Sequence, residues 1–429
     1  MTAIAPTVSR HVLASGLRVI TIEMPTVRTS VIEYVSEAGS CFDLPGHPGI
    51  SHFLEHMLYR GTTNHNGPHE LALAFERKGG LLEAATYIDH GSVALTIPPE
   101  NLVSAIPSFC EVLRSPSFAG IDVERAIVRE EILENLDDAG RLVEPDDIGR
   151  VLAFGEHPLA HPITGTLEAL ERFDEWVLRE HHDRLYVGAS SVICVAGPID
   201  SAAVLSALSK HLDGLPRGER LTVPAPGKPN GPKHEFVSYS DSQSHLRIIF
   251  RAPGNRDPKE PVVELLLRLI DDGMSTRLYH RICNTLGLCY DVSAGYEAWR
   301  DVGVVEFAGD CAHEQVAELG TELFELIRRL RDDGPSEEEV VSAKQRVVWQ
   351  HSELLDEPAE LTGFYGYAEV KEVTFSPSAR ADELLAVSME QLRTVAQELF
   401  SPQNLTVVCV GEPKKRIREK LERQILRFS

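Results

Sequence analysis

The stretch that most constrains this chain runs Gly49-Ile50-Ser51-His52-Phe53-Leu54-Glu55-His56-Met57-Leu58-Tyr59-Arg60-Gly61-Thr62. Read as a helix, at about 100° per residue, it projects His52 and His56 from one face, because residues four apart are neighbours on a helix surface. Two imidazoles so placed can bind one metal ion. Glu55 lies three residues past His52 on the same face, where its carboxylate can reach a water held by that ion without binding the ion itself. Five-residue patterns arise by chance in a chain with 17 histidines and 65 acidic residues, so the flanks matter. Phe53, Leu54, Met57 and Leu58 make the remaining surface apolar, as a buried helix requires. Histidines beside a carboxylate in a core need partners, and a divalent cation supplies one. The pattern is that of a metal-dependent hydrolase, but catalytic zinc usually takes three protein ligands, so a third must come from elsewhere.

A second helix supplies candidates. Asp122 is placed as its N-cap, followed by Val123-Glu124-Arg125-Ala126-Ile127-Val128-Arg129-Glu130-Glu131-Ile132-Leu133-Glu134. Glu124 and Glu131 are seven apart and share a face, with Glu130 rotated off it by about 100°. Carboxylates on helices are mostly solvated, and that reading holds for Glu130 and Glu134. For Glu131 the missing ligand argues otherwise. His157 and His161 are each followed by proline, which favours a loop over a ligand-bearing helix.

At 429 residues the chain exceeds what one core supports, so at least two domains are expected. No apolar run approaches the ~18–20 residues of a membrane span, and Met1–Val19 lacks the charged and apolar regions of a secretory signal. Seven scattered cysteines give neither a disulfide framework nor a metal knuckle, which favours a reducing cytoplasm and makes Cys110, Cys194 and Cys409 small buried apolar residues. A net charge of −23 excludes nucleic acid as a partner and permits basic peptides.

Along the chain, strands are expected at Leu17–Ile22 and Ser30–Val35, a helix at His69–Lys78 stopped by Gly79-Gly80, and one strand over Ala84–Ile97. Residues 214–233, with five prolines and four glycines, have linker composition. Leu185–Gly197 resembles Leu399–Gly411, an offset of half the chain, which implies two domains of one α+β design. The expected division is 1–213, linker 214–233, and 234–429. Further elements are expected at Leu246–Ala252 (strand), Val262–Ile270, Glu314–Arg331, Ser336–Leu355 and Lys414–Arg427 (helices), with no second metal motif.

These residues resemble the pitrilysin-type zinc peptidases, which include insulin-degrading enzyme and the mitochondrial processing peptidase. The His-x-x-Glu-His order is their signature. The likeness extends through Glu124–Glu131, His157–Thr166, Tyr186–Gly197 and Ser275–Ser293. It implies two similar domains, each a mostly antiparallel sheet flanked by helices, forming half of a clam-shell. It implies one zinc ion per chain on His52, His56 and Glu131, with Glu55 as general base and Glu124 as a supporting glutamate. Glu83, Ala84 and Tyr290 become substrate contacts. The chain departs from the pattern twice: Cys283 stands where active members carry an arginine seven residues before Tyr290, and Glu83 stands where they carry an asparagine. Arg277 and Arg281 are off register. The expectation is a zinc-dependent endopeptidase subunit acting on short or unfolded peptides in a chamber closed by a zinc-less homologous chain that supplies the Arg/Tyr pair. The alternatives are a homodimer, or a structural subunit without catalysis.

Overall fold

A computed structural model describes residues 5–373 and 376–428. Met1–Ile4, Thr374, Phe375 and Ser429, which fall within the expected domain ranges, lie outside the described residues. The chain folds into two compact units, each built from non-contiguous segments: residues 1–134, 161–223 and 351–377 in the first, and 135–160, 224–350 and 378–429 in the second.

The chain begins with β1 (Thr7–Val12), β2 (Arg18–Glu23) and β3 (Ser30–Ser36), then α1 (Ile50–Leu58), α2 (Pro68–Glu76), β4 (Leu81–Thr86) and β5 (Gly91–Ile97). It continues through α3 (Pro99–Arg114), α4 (Ile121–Glu134), α5 (Pro145–Phe154), α6 (Leu167–Leu170), α7 (Glu175–Leu185), β6 (Ser191–Gly197) and α8 (Ser201–Leu212). The first unit's sheet has the order β1-β2-β6-β3-β5-β4, antiparallel except for β2 beside β6. Strand β6 is buried along its whole length. That is why Val192–Ala196 reads as an unbroken apolar run instead of an alternation. Strand β4 closes the order, so its outer edge pairs with no strand among the described residues.

The second half runs β7 (Lys233–Val237), β8 (Ser244–Pro253), α9 (Glu260–Ile270) and α10 (Arg277–Tyr279), which passes into a π-helical turn, His280–Thr285. Then come β9 (Cys289–Ala298), β10 (Val302–Cys311), α11 (Val316–Asp332), α12 (Glu337–Leu354), α13 (Pro358–Lys371), α14 (Pro377–Ala386), α15 (Met389–Leu399), β11 (Leu405–Val410) and α16 (Lys415–Leu426). The second sheet is β7-β11-β8-β10-β9, with β7 and β11 parallel. Leu246, Ile248 and Phe250 of β8, Val305 and Phe307 of β10, and Leu405, Val407 and Cys409 of β11 form one face, packed with apolar residues of α9, α11, α15 and α16. Val408 and Val410 point the other way, onto Ile148 of α5.

The duplication read from Leu185–Gly197 and Leu399–Gly411 extends over the fold. Helix α7 (175–185) corresponds to α15 (389–399), β6 begins at 191 and β11 at 405, and α8 (201–212) corresponds to α16 (415–426), each displaced by the same interval. Both Gly197 and Gly411 sit at strongly positive φ (135° and 138°), and a Cβ on either would meet a serine, Ser30 or Ser244, which that interval also relates.

The compact units cross the expected 1–213/234–429 division at two places. Helix α5, from the first half, covers a face of the second sheet, where Gly149 lies against Ile249 and Val408. Helix α13, from the second half, covers the first sheet, laying Leu361, Tyr365 and Val370 on Ile20, Ile22, Val35 and Cys194. Each buried apolar side chain of this kind contributes about 1.5–3 kcal/mol. Gly366 permits the approach, since a Cβ there would meet Val35 at 2.6 Å. Helix α13 is tied further by an ion pair between Lys371 and Asp89, both buried, in the turn after β4.

Two local expectations are corrected. Ala84–Ile97 is a hairpin of two strands, β4 and β5, because Tyr87–His90 turns the chain; the polar Thr86, Asp89 and Ser92 flank or form that turn. Asp122 is not the N-cap of α4: the helix starts at Ile121, after Gly120 at φ 76°, and Asp122 pairs with Arg125 inside the first turn. Residues 216–232 have no regular secondary structure.

In the second unit, His245 lies between two carboxylates, with Nδ1 3.1 Å from Asp310 and Nε2 2.8 Å from Asp241. The Asp310 hydrogen bond, with Asp241 adding to it and partial burial opposing, lifts the imidazole to about 9. A raised histidine stabilises the fold most fully below its unfolded pKa and loses that contribution as pH rises through the folded one. Unfolding titrations should therefore show stability falling between about pH 6.5 and about pH 9. His245→Gln should flatten that slope while leaving secondary structure intact by circular dichroism.

Candidate metal centre

The motif helix α1 is held at both ends before its face is used. Gly49 takes φ 89° at its N-cap, and the Asp43 carboxylate accepts from Gly49 N–H (2.6 Å) and Ser51 N–H (3.0 Å), satisfying donors that an open helix end would leave unpaired. Burial pushes Asp43 up to about 7 against the pull of those hydrogen bonds. Ser51 Oγ also meets buried His181 Nε2 at 2.8 Å. Phe53, Leu54, Met57 and Leu58 are almost wholly buried, which fixes the rotation of the helix and turns His52, Glu55 and His56 to the remaining side.

On that side His52 Nε2 and His56 Nε2 are 3.3 Å apart. Glu131, from α4, brings Oε1 to 3.3 Å from His52 Nε2 and Oε2 to 3.6 Å from His56 Nε2. Zinc takes nitrogen and oxygen ligands at about 2.0–2.1 Å, so tetrahedrally arranged donors stand about 3.3 Å from one another. The two imidazole nitrogens match that spacing, and the Glu131 oxygens, at 3.3 and 3.6 Å from one nitrogen each, come near it. Glu124 Oε1 accepts from His56 Nδ1 at 2.8 Å, which fixes the tautomer with its free lone pair on Nε2, toward His52 and Glu131. Glu124 is buried, and Arg60 stands 3.5 Å behind its other oxygen. His52 Nδ1 is buried with no hydrogen-bond partner among the described residues, so packing sets that ring's orientation. Hydrogen bonding from His52 holds the Glu131 carboxyl below the usual carboxylate range. The residues fit a divalent ion of zinc's size and preference.

Glu55 faces the same side but lies outside this group. Its Oε2 accepts from Thr86 Oγ1 at 2.7 Å, joining the helix to the last residue of β4. Burial, then the charge of Glu55, pushes nearby Tyr59 up to about 12. Glu83 and Ala84 lie on β4, Glu83 exposed. A cavity of about 290 Å³ opens beside them, lined by Tyr59, Leu71, Phe75, Glu76, Leu81 and Leu82 among others. Tyr290, in the second unit, is 93% exposed. Arg277 is paired with Glu339, and Arg281 with Glu322 at 2.8 Å. His157 hydrogen-bonds the Pro224 carbonyl at 2.6 Å and belongs to no donor group among the described residues.

Residues 18–166 match the family described as insulinase, peptidase family M16, and residues 174–347 match the peptidase M16 inactive domain. The chain belongs to peptidase family M16. This M16 chain is 27% identical over 412 residues to the uncharacterized zinc protease YmxG of Bacillus subtilis, covering 92% of this chain and 96% of that one. It is 26% identical over 408 residues to an uncharacterized zinc protease of Mycobacterium tuberculosis, covering 93% and 92%. Its fold is shared with a protease from Helicobacter pylori (TM-score 0.86, 19% identity, 95% and 100% covered). A peptidase M16 inactive domain from Pseudomonas fluorescens has the same TM-score at 18% identity, with 94% and 98% covered.

The duplication shows what stands in the other domain where the first carries donors. Displacing His52, Glu55, His56 and Glu131 by the interval that separates Gly197 from Gly411 gives Leu266, Leu269, Ile270 and Gln345. The first three are buried in the apolar core of α9. Two residues that position the site escape a sequence reading. Asp43 acts on Gly49 and Ser51 from well upstream, outside any capping spacing, and Thr86 becomes Glu55's partner only through the β4–β5 hairpin.

Removing Glu124 leaves the three donors but frees the His56 ring. Glu124→Ala should weaken zinc affinity about 10–100-fold, the usual effect of losing a carboxylate behind a metal-binding imidazole. Chelator competition on the purified chain measures this, and unchanged affinity would remove Glu124 from the centre.

Proposed function

We propose that this chain is the zinc-carrying subunit of a two-chain endopeptidase that hydrolyses short or unfolded peptides. The observation that carries the proposal is the group His52, His56 and Glu131 at zinc-ligand spacing, with Glu55 beside it and an unpaired strand edge alongside. The ion is held by those three side chains, and when bound it brings a water toward neutral pKa and polarises a carbonyl. The remaining work belongs to the chain. Glu55 takes the proton of the attacking water and returns it to the leaving amine, its carboxylate oriented by Thr86. Glu124 and Arg60 keep the His56 ring turned so that only Nε2 is presented.

An extended peptide can add to the outer edge of β4 at Glu83 and Ala84 by main-chain hydrogen bonds. The cavity beside β4 accepts an apolar side chain of that peptide. Charge on the tetrahedral oxyanion needs a further donor. Tyr290 is exposed, but Cys283 offers no guanidinium, and Arg277 and Arg281 are both engaged with glutamates. This favours a homologous zinc-less partner that brings the Arg/Tyr pair over a homodimer relying on Tyr290 alone or on Arg281. Cys283 is also the one feature that favours a non-catalytic assembly subunit, a reading that the retained donor set opposes.

Glu55→Gln should keep zinc bound while lowering kcat about 10²–10⁴-fold, the range general base catalysis supplies. Zinc content and peptide hydrolysis measured on the same sample check this; hydrolysis at the wild-type rate takes Glu55 out of the mechanism. Full-rate cleavage by the purified chain without another protein contradicts the zinc-less partner and leaves the homodimer. No cleavage in the presence of a homologous partner supports the assembly-subunit reading.

A further inference from the structure

Cys283, at the position where the resemblance places arginine, has a local partner. It lies in the π-helical turn His280–Thr285, a conformation that is rare and concentrated at functional sites. The chain then folds back on itself. Leu286 N–H bonds to Arg281 O at 3.2 Å, Gly287 N–H to Cys283 O at 3.1 Å and Leu288 N–H to Ile282 O at 3.1 Å, with Gly287 at φ 59° making the reversal. The next residue, Cys289, opens β9, and the reversal brings its thiol back beside that of Cys283, both side chains packing against the same core.

Accessibility separates this pair from the other cysteines. Cys41, Cys110, Cys194, Cys311 and Cys409 are buried; Cys283 and Cys289 are partly exposed. Cys311 is opposite Cys289 across the β9–β10 ladder, but the register shifts between Gly309 and Cys311, and Cys311 is sealed in the core. Asn284, Thr285 and Gly287, between the two thiols, are exposed, so backbone hydrogen bonds together with Ile282 and Leu288 hold the turn. Tyr290, the next residue on β9, projects into solvent.

We propose that Cys283 and Cys289 are a disulfide-forming site, closed by exchange with a small-molecule disulfide, and that closure fixes the turn leading into Tyr290. In the exchange, the more exposed Cys283 loses its proton to solvent and its thiolate attacks one sulfur of the reagent, forming a mixed disulfide and releasing one small thiolate. Cys289, deprotonated in turn, attacks the Cys283 sulfur and releases the second. Two protein thiols become one disulfide, and one small disulfide becomes two small thiols. Burial raises both thiols, Cys289 up to about 12, so the exchange is slow near neutrality.

The test treats the full-length chain with oxidised glutathione at mildly alkaline pH, followed by alkylation and tryptic mapping. Cleavage after Arg281 and Arg300 yields a peptide that contains both Cys283 and Cys289 but not Cys311. The expected product is that peptide lighter by two hydrogens, with the free thiols of the chain falling from seven to five. Amide hydrogen exchange across residues 280–290 should slow at the same time and recover on reduction. A stable glutathione adduct on Cys283 without closure, or a cross-link from Cys289 to the Cys311 peptide, overturns the assignment. Unchanged exchange in the closed form overturns the effect on the turn. Cys283→Ser should lose no thiol pair under the same treatment; if it still loses two, the pair is wrongly identified. None of these readouts depends on peptidase activity.

Discussion

Two imidazole nitrogens stand 3.3 Å apart, each within 3.6 Å of one oxygen of the Glu131 carboxylate, so three candidate metal donors share one small space. Glu124 takes the Nδ1 proton of His56 in a hydrogen bond, so His56 Nε2 presents a lone pair toward His52 and Glu131. With the His52 Nε2 proton displaced, lone pairs and negative charge would converge at a spacing that suits a divalent cation. Much of the first unit can be read as the support this requires. Helix α1 is capped by Asp43, its other faces are buried by Phe53, Leu54, Met57 and Leu58, and Thr86 ties Glu55 to the sheet edge.

The second domain shows what the same design becomes without that constraint. Leu266, Leu269 and Ile270 stand in place of the histidines and glutamate, so α9 can bury the equivalent face outright, and Gln345 stands at the position of Glu131. One copy uses apolar burial to hold polar groups in place, while the other uses it for stability alone. Helices α5 and α13 are exchanged between the two halves of the sequence, so that each compact unit covers its sheet with a helix from the other half, with Gly149 or Gly366 at a point of close approach.

What can be read from the sequence is what depends on short spacing. His52, Glu55 and His56 on one helix, Glu131 and Glu124 on one face of another, and the repeat of Leu185–Gly197 at Leu399–Gly411 all follow from local periodicity or direct comparison. Elements whose reason for existing is non-local are harder to find. The pattern Leu361, Tyr365, Val370 has meaning only against Ile20, Val35 and Cys194, which lie far off along the chain, so α13 leaves no legible signal. The turn at Tyr87–His90 is hidden because the two strands it joins are both apolar enough to read as one. Asp122 looks like a cap by residue type, yet Gly120 already ends the preceding turn and the helix begins before the aspartate.

Metal counting on the purified chain tests most directly whether a single ion is gripped by His52, His56 and Glu131. Elemental analysis after dialysis against trace zinc should give one zinc per wild-type chain and a large loss in Glu131→Ala, with folding unchanged by circular dichroism. Wild-type chain that retains no zinc, or a Glu131→Ala variant that retains it fully, would contradict the assignment of this centre.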